Sequence, residues 1–248
     1  MKPTHYLTII MSIVMLTTLM ACEDQMVQQM NNITSEEAVD PLEGIPRIDF
    51  QDALTQTQIK GPYLWLTSYL DRFHTLADAT DADAISNITE GAVRETDIAT
   101  HGINPYTDIV NFNWIPGTLF GEPDDPEYVP HVGANNIGNL VSETEGLENY
   151  RHRYRVIYGL LSIVSDNEYA ATLKVGSDDA IKIWLNGEPV HRNPIARPTT
   201  GFQETVDVII NKGDNLLLVK VIDSGGHWAM FIDLEQTGST EKQNAPTP

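Results

Sequence analysis

Hydrophobic residues in the C-terminal part of the chain fall in short runs that are rich in Val, Ile, Leu, Tyr and Trp. Gly, Asn, Asp and Ser separate these runs. Asn186-Gly187 is typical of a tight hairpin turn, because such turns need positive φ angles. Many short strands at this spacing predict an all-β sandwich. The predicted strands cover residues 155–164, 169–175, 180–185, 205–210, 216–222 and 228–235.

The region before these strands has a different pattern. A first strand is predicted over residues 60–67, which contain a Gly-Pro pair followed by aromatic and aliphatic residues. Residues 70–98 are rich in Ala and Asp and predict short helices, with Thr80 or Asp81 and Thr96 as N-caps.

Residues 103–146 are rich in Gly, Pro and Asn and predict a loop with one strand near Trp114. A loop of this length is uncommon without a function. The folded unit is therefore expected to span residues 59–235. It is expected to be mainly β, a β-sandwich with a short helical insert at about residues 70–98, after the first strand.

The first residues have the parts of a secretory signal peptide. Lys2 is followed by an uncharged apolar run over residues 6–20 and then by the small residue Ala21. The run is short for a membrane-spanning helix, which needs ~20 apolar residues. Cys22, the one cysteine of the chain, comes next, and Leu19-Met20-Ala21-Cys22 resembles the lipobox of bacterial lipoproteins.

This resemblance implies that residues 1–21 are a lipoprotein signal peptide and that Cys22 is lipidated. The chain would then be exported and lipid-anchored to the bacterial cell membrane or outer membrane. Polar, acidic residues 22–58 would form a flexible tether, and residues 236–248 a disordered tail. The alternatives are a plain secretory signal with an incidental cysteine, or an uncleaved anchor.

Composition excludes several classes of protein. Hydrophobic residues make up 41% of the 248 positions, which is enough for a core and excludes wholesale disorder. With 15 Lys+Arg against 35 Asp+Glu the net charge is −20, so no nucleic-acid partner is expected. A single cysteine excludes a disulfide scaffold.

Three segments of the predicted β region carry a family resemblance: residues 176–187, 212–221 and 225–231. They resemble galactose-binding-like jelly rolls and protective-antigen-type lectin domains, which occur beside bacterial glycoside hydrolases and in envelope proteins. The likeness is good over residues 150–235 and thin before them. It implies a jelly-roll β-sandwich. Many such modules bind sugars and others brace a neighbouring domain, so the fold alone does not define the function.

The resemblance also implies a role for Asp178 and Asp179, because an adjacent aspartate pair holds Ca²⁺ in some of these lectins. Calcium takes six to eight oxygen ligands, so Asp223, Asn186 or Asn193 would have to join the pair. The alternative is that the two aspartates shape a turn by accepting hydrogen bonds from backbone N–H groups.

Candidate sugar contacts lie in two loops. His227 and Trp228 follow a Gly-Gly pair that could display the indole as a flat platform for a sugar ring. Arg192 and Asn193 could donate hydrogen bonds to a ligand. The alternatives are a core tryptophan at the start of the last strand and local pairing of the arginine with nearby acids. Trp184 is expected to pack on the second face of the sheet, under the helices, and the alternative is a position in a groove.

Catalytic motifs are not evident: we find no Gly-x-Ser-x-Gly elbow, no phosphate-binding glycine loop and no histidine pair at helical ligand spacing. The first hypothesis is a non-catalytic, glycan-binding envelope lipoprotein, assisted by Ca²⁺. The second is a structural module that binds another envelope protein, for which an exposed apolar patch would be the sign. A glycoside-active enzyme would need two facing carboxylates in a cleft.

Overall fold

The computed structural model describes residues 40, 42–107, 113–119, 134–149, 151, 153–199 and 201–239. Those from residue 42 onward belong to one compact unit, Pro41–Pro248. In this part of the chain the strands are β1 (Arg47–Asp49), β2 (Tyr63–Tyr69), β3 (Ile115–Gly117), β4 (Arg155–Ser165), β5 (Tyr169–Asp178), β6 (Ala180–Leu185), β7 (Glu188–Asn193), β8 (Glu204–Ile210), β9 (Gly213–Asp223) and β10 (Ala229–Ser239). The helices are α1 (Phe50–Leu54), α2 (Leu76–Asp81), α3 (Ala84–Ile88), α4 (Glu95–His101) and α5 (Asn136–Glu143), with a 3₁₀ turn at Asn104–Tyr106.

The strands form two sheets that pack as a sandwich. The large sheet has the order β3-β2-β4-β9-β6-β7, and β1 adds to it by pairing in parallel with β4. The small sheet has the order β10-β5-β8, and all of its pairs are antiparallel. The mainly β sandwich predicted from the spacing of the strands is therefore confirmed.

The large sheet is buried on both faces, which gives the domain a third layer. On β9, Leu217, Val219 and Val221 enter the core between the two sheets, whereas Leu218 and Ile222 enter a second core. Helices α2, α3 and α4 cover this second core. The helical insert is thus confirmed, and Trp184 packs beneath it as expected, with 1% of its surface exposed.

The predicted helix caps are wrong. The side chain of Thr75 caps α2 by accepting from the backbone N–H of Asp78 at 3.1 Å. The side chain of Asp83 caps α3 by accepting from the backbone N–H of Ser86 at 2.7 Å. Thr80, Asp81 and Thr96 lie inside the helices instead. Thr80 donates its hydroxyl to the carbonyl four residues earlier, which a threonine within a helix commonly does.

The folded unit begins earlier than the sequence predicted. Residues 42–58, assigned to the tether, contain β1 and α1. The ring of Phe50 is 1% exposed and stacks on Tyr169, with ring centroids 5.0 Å apart. The polar composition of residues 42–58 predicts a tether. The sequence does not show that β1 pairs with β4, which brings Phe50 to a surface on which it can pack.

The long predicted loop also contains a helix, α5, which packs against the core between the sheets. The Asn136 side chain at its start donates to the carbonyl of Met230 at 2.8 Å and accepts from the Met230 N–H at 3.0 Å. The Asn136 amide thus satisfies both backbone hydrogen-bonding groups of Met230 in β10. The predicted signal peptide, Cys22 and residues 240–248 of the predicted tail lie outside the described residues, and β10 extends into the tail's first residues.

No helix in the described ranges combines the length and the apolar character that crossing a membrane requires.

Candidate functional site

Three aspartates converge at one end of the sandwich, where β5, β6 and β9 meet. Asp178 ends β5, Asp179 connects it to β6 through a cis peptide bond, and Asp223 ends β9. Because Ala180 pairs with Ile222, Asp179 lies beside Asp223 across the sheet. The three residues are 5%, 6% and 1% exposed, respectively. This group is called the aspartate cluster below.

Asp179 holds two loops in place. Its Oδ1 accepts from the backbone N–H of Arg197 at 2.9 Å, in the β7–β8 loop (residues 194–199 and 201–203). Its Oδ2 accepts from the N–H and the hydroxyl of Ser224 at 2.9 and 2.6 Å, in the β9–β10 loop (residues 224–228). This is the turn-shaping role that the sequence left open beside metal binding.

Asp223 is paired with Arg155, a residue that the sequence did not single out. The Arg155 guanidinium donates to Asp223 Oδ2, to the Asn149 side chain at 3.0 Å and to the Gly226 carbonyl at 3.3 Å. Burial raises the pKa of Asp223 above its usual value, although Arg155 and a backbone hydrogen bond from Gly225 oppose the shift. The one feature of the sequence that could have pointed to this role of Arg155 is its charge at the start of a predicted strand.

Asp178 has the most perturbed carboxyl group of the cluster. Burial, followed by the charges of Asp179 and Asp223, raises its pKa from 3.8 to about 7, against a backbone hydrogen bond from Thr199. Near neutral pH the carboxyl is therefore only partly ionised. A cation bound beside Asp178 would favour the ionised form of this carboxyl group.

The cluster meets only part of what calcium requires. Carboxylate oxygens are the hard ligands that Ca²⁺ prefers, and burial together with the charges of Asp179 and Asp223 raises the pKa of Asp178. Within the described ranges, however, no group of three or more His, Cys, Asp or Glu side chains is placed to hold a metal ion. Asp178 and Asp179 could supply some ligands, and backbone carbonyls, water or a bound ligand would have to supply the others.

A second network braces the β7–β8 loop through Glu204. Arg197 donates to Oε1 of Glu204 at 2.8 Å, His191 Nε2 lies 2.6 Å from Oε2, and the Asn193 side chain donates to Oε1. Burial alone would raise the pKa of Glu204, but hydrogen bonding to Arg197 and its charge outweigh burial and lower it. Asn193 is 8% exposed, and its side chain is already engaged with Glu204.

The structure does not bring all the predicted ligand-binding residues together. Arg192 and Asn193 are neighbours on β7, so their side chains project from opposite faces. Arg192 reaches the helical layer, where Nε and Nη2 donate to the two carboxylate oxygens of Asp81 at 2.6 and 2.8 Å. Hydrogen bonding to Arg192 lowers the pKa of Asp81. Local pairing with an acid, the alternative left open by the sequence, is what the structure contains.

Trp228 is a core residue, so the prediction of a sugar platform is wrong for it. Its side chain is 1% exposed in the core between the sheets, and the Arg155 guanidinium lies 5.2 Å from the indole centroid. The strand pattern after it explains this position, because Ala229 and the residues that follow continue directly into β10. His227 remains half-buried in the β9–β10 loop, which Asp179 holds. Asn186 forms its hairpin turn with φ 53° and does not join the cluster: its side chain bonds Asn215 at 2.9 Å.

Searches of family models and of curated proteins found no match to this chain. Among solved structures it is similar to the PA14 domain of the antifreeze protein MpAFP, at 20% identity over 42% of this chain and 55% of that one, with a TM-score of 0.32. A PA14 sugar-binding domain from an RTX adhesin matches at 13% identity over 71% and 90% of the chains, with a TM-score of 0.33. A β-glucosidase from Kluyveromyces marxianus matches at 8% identity over 39% and 13%, with a TM-score of 0.31. The chain thus spans about half of the first of these structures and a small part of the last. At these TM-scores we draw no functional conclusion from the similarities.

Proposed function

We propose that the domain is a non-catalytic glycan-binding module, with its binding face at the aspartate cluster. The observation that carries the proposal is the convergence of Asp178, Asp179, Asp223 and Arg155 at one loop-lined end of the sandwich. Sugar hydroxyls both donate and accept hydrogen bonds, so the polar loops that this buried cluster holds in place suit them. The loops are tied down by Asp179 and Glu204 before any ligand arrives, which reduces the entropy lost on binding.

Calcium is the second part of the proposal. Asp178 and Asp179 would hold the ion, and their carboxylate oxygens match its preference for hard ligands. When bound, Ca²⁺ would supply positive charge beside Asp178 and would attract sugar hydroxyls. Its binding would require the ionised form of Asp178 and would be weakened below the pKa of about 7.

The cell-envelope location is proposed from the N-terminal sequence. Lipidation of Cys22 would anchor the exported domain to a bacterial membrane through acyl chains. Mass spectrometry of the membrane fraction should find an acylated Cys22 at the new N-terminus. An intact Met1 or an unmodified Cys22 would refute the anchor and leave the proposed glycan binding unaffected.

Binding to another envelope protein is the second candidate function. Ile195 and Phe202, in the β7–β8 loop, are 55% and 40% exposed, which favours contact with an apolar partner surface. This candidate predicts no response to glycans or calcium, so the experiment below separates it from the first.

A glycan array tests the proposed function. The full chain in detergent is applied with Ca²⁺ and with a chelator, beside Asp178→Ala and the matched control Asp207→Ala, an exposed aspartate on β8. We expect calcium-dependent glycan binding that Asp178→Ala abolishes and Asp207→Ala retains. Binding that persists in chelator would remove calcium from the proposal. No binding under either condition would overturn the glycan function and favour the protein-interaction module.

A further inference from the structure

A cleft lies on the small sheet, on the face that is turned away from the core. Val175 and Ile232 are register partners that point into the core between the sheets, so the neighbouring pair of Lys174 and Asp233 points outward. The segment that follows α1 also lines the cleft, whose volume is about 450 Å³. The polar and aromatic side chains used below are those of Gln56, Thr57, Lys174, Phe202, Asp233 and Glu235.

Asp233 lines this cleft with one carboxylate oxygen that lacks a donor. The residue is 6% exposed, and its Oδ1 has no hydrogen-bond partner within the described ranges. Its Oδ2 lies 3.4 Å from Nζ of Lys174, which is longer than usual, and the same Nζ lies 3.1 Å from Oε2 of Glu235. One lysine is therefore shared between two carboxylates. Buried charges in proteins are normally paired and hydrogen-bonded, so Asp233 is suited to accept from a further donor.

The charge balance of the cleft favours a cationic donor. Asp233 and Glu235 carry two negative charges, against one positive charge on Lys174. An ammonium group that donates to Oδ1 of Asp233 would equalise the charges while Lys174 stays at Oδ2. Such a charge-assisted hydrogen bond is stronger than one from a neutral hydroxyl.

The aromatic ring of Phe202 indicates what carries the ammonium group. The residue is 40% exposed and packs edge-on against Phe231, with ring centroids 6.1 Å apart. Phe231 lies two residues before Asp233 on the same face of β10. The free part of the Phe202 ring can cover the C–H groups of a sugar and attract a nearby cation. Gln56 and Thr57 can bond the hydroxyls of that sugar, and a volume of about 450 Å³ suits a small ligand.

We propose that this cleft, called the Asp233 cleft, is a second ligand site and that it takes a sugar bearing a free amino group. Asp233 accepts a hydrogen bond from the ammonium group, Phe202 packs against the ring, and Lys174 continues to pair with Glu235. The cleft shares no residue with the aspartate cluster, so the inference does not rest on the proposed function.

Calorimetric titration tests the Asp233 cleft. The full chain in detergent is titrated with glucosamine, in slightly acidic buffer in which the amine is protonated, and with N-acetylglucosamine, whose amide is neutral. We expect glucosamine to bind about tenfold more tightly, the difference that one charge-assisted hydrogen bond provides. Asp233→Asn retains the shape of the side chain and should abolish this preference. Asp207→Asn, at an exposed aspartate of β8, is the matched control and should retain it.

Further variants separate a lost contact from a loss of folding. Lys174→Gln removes the competing cation and should increase the preference for glucosamine, which misfolding would not do. Phe202→Ser should weaken the binding of both sugars. Ile209→Ser, at a residue of β8 that is 47% exposed, should weaken neither.

Three outcomes would overturn the inference. Equal affinity for the two sugars, or a preference that survives Asp233→Asn, would show that the cleft does not recognise an amine. Lysine amide that binds as tightly as glucosamine would show that the ammonium group alone is recognised, without the sugar. Calcium-dependent glycan binding that Asp178→Ala abolishes is a separate measurement, so the proposed function stands or fails independently of Asp233.

Discussion

The Nζ of Lys220 donates a hydrogen bond of 2.8 Å to Oε1 of Glu95, joining strand β9 to helix α4 in the second core. The two residues are 0% and 3% exposed, and the hydroxyl of Tyr158 donates to the same oxygen at 2.6 Å. Burial lowers the pKa of Lys220 and raises that of Glu95, while the attraction between them opposes both shifts. Lys220 also donates to the carbonyls of Thr80 and Ala82. A single lysine thus attaches three parts of the helical insert to the sheet.

Removing Lys220 should be costly. Lys220→Met leaves the Glu95 carboxylate buried without its partner, so we expect a loss of ~3–5 kcal/mol in the free energy of unfolding, measured by urea denaturation. Adding Glu95→Gln removes the unpaired charge and keeps an acceptor for Tyr158, so the double variant should recover part of the loss. Lys182→Met is the control. It lies beside Lys220 in register but is only half-buried, over the Trp184 ring at 4.7 Å, and should lose less than ~1 kcal/mol. Equal losses at the two lysines would contradict this account.

Asp178 should make stability depend on pH in a defined direction. Its pKa is 3.8 when unfolded and about 7 when folded, so between these values the folded state keeps a proton that the unfolded state releases. Its contribution to stability therefore falls as pH rises from about 4 to about 7 and stays constant above. Asp178→Asn removes this dependence.

The measurement is urea denaturation of Asp178→Asn and the wild-type chain in chelator at pH 5 and pH 8. We expect the variant to gain stability relative to wild type at pH 8 and much less at pH 5. Asp207→Asn, an exposed aspartate, should differ little from wild type at either pH. A gain of the same size at both pH values would show that Asp178 ionises at its ordinary pKa.

The two arginines near the β7–β8 loop should behave differently. Arg197 holds this loop against Glu204 and Ser177, so Arg197→Met should release it and weaken glycan binding. Arg192 forms an ion pair with Asp81 whose side chains are 39% and 58% exposed, so Arg192→Met should cost less than ~1 kcal/mol and leave binding unchanged. Array binding and limited proteolysis of the loop compare the two variants. A larger loss of binding in Arg192→Met would restore Arg192 as a ligand contact.

Trp228 should affect stability rather than recognition. Trp228→Ala removes a fully buried indole from the core between the sheets and should cost ~3–5 kcal/mol in the free energy of unfolding. Trp228→Phe retains most of the apolar volume and should bind glycan like the wild-type chain once folded. Loss of binding in a folded Trp228→Phe would show that the indole contacts the ligand after all.

Local patterns predicted much of the β architecture. Short apolar runs gave the positions of most strands, because a run's composition and period depend on residues close together in the chain. The Asn186-Gly187 hairpin was also predicted, and the structure has φ angles of 53° and 85° there, as its turn requires. The helical insert and the inward position of Trp184 followed from the same local signals.

The sequence by itself determined the alternation of strands and turns, the helical insert and the acidic character of the chain. Only the tertiary structure decided which side chains meet. Asp179 bonds Arg197 and Ser224, and Arg155 joins Asp223, because the order of strands in the sheets brings distant segments to one end of the sandwich. Arg192 and Asn193 are adjacent in sequence yet serve opposite faces, because successive residues of a strand point in opposite directions. Strand order and register join distant parts of the chain, and no local pattern encodes them.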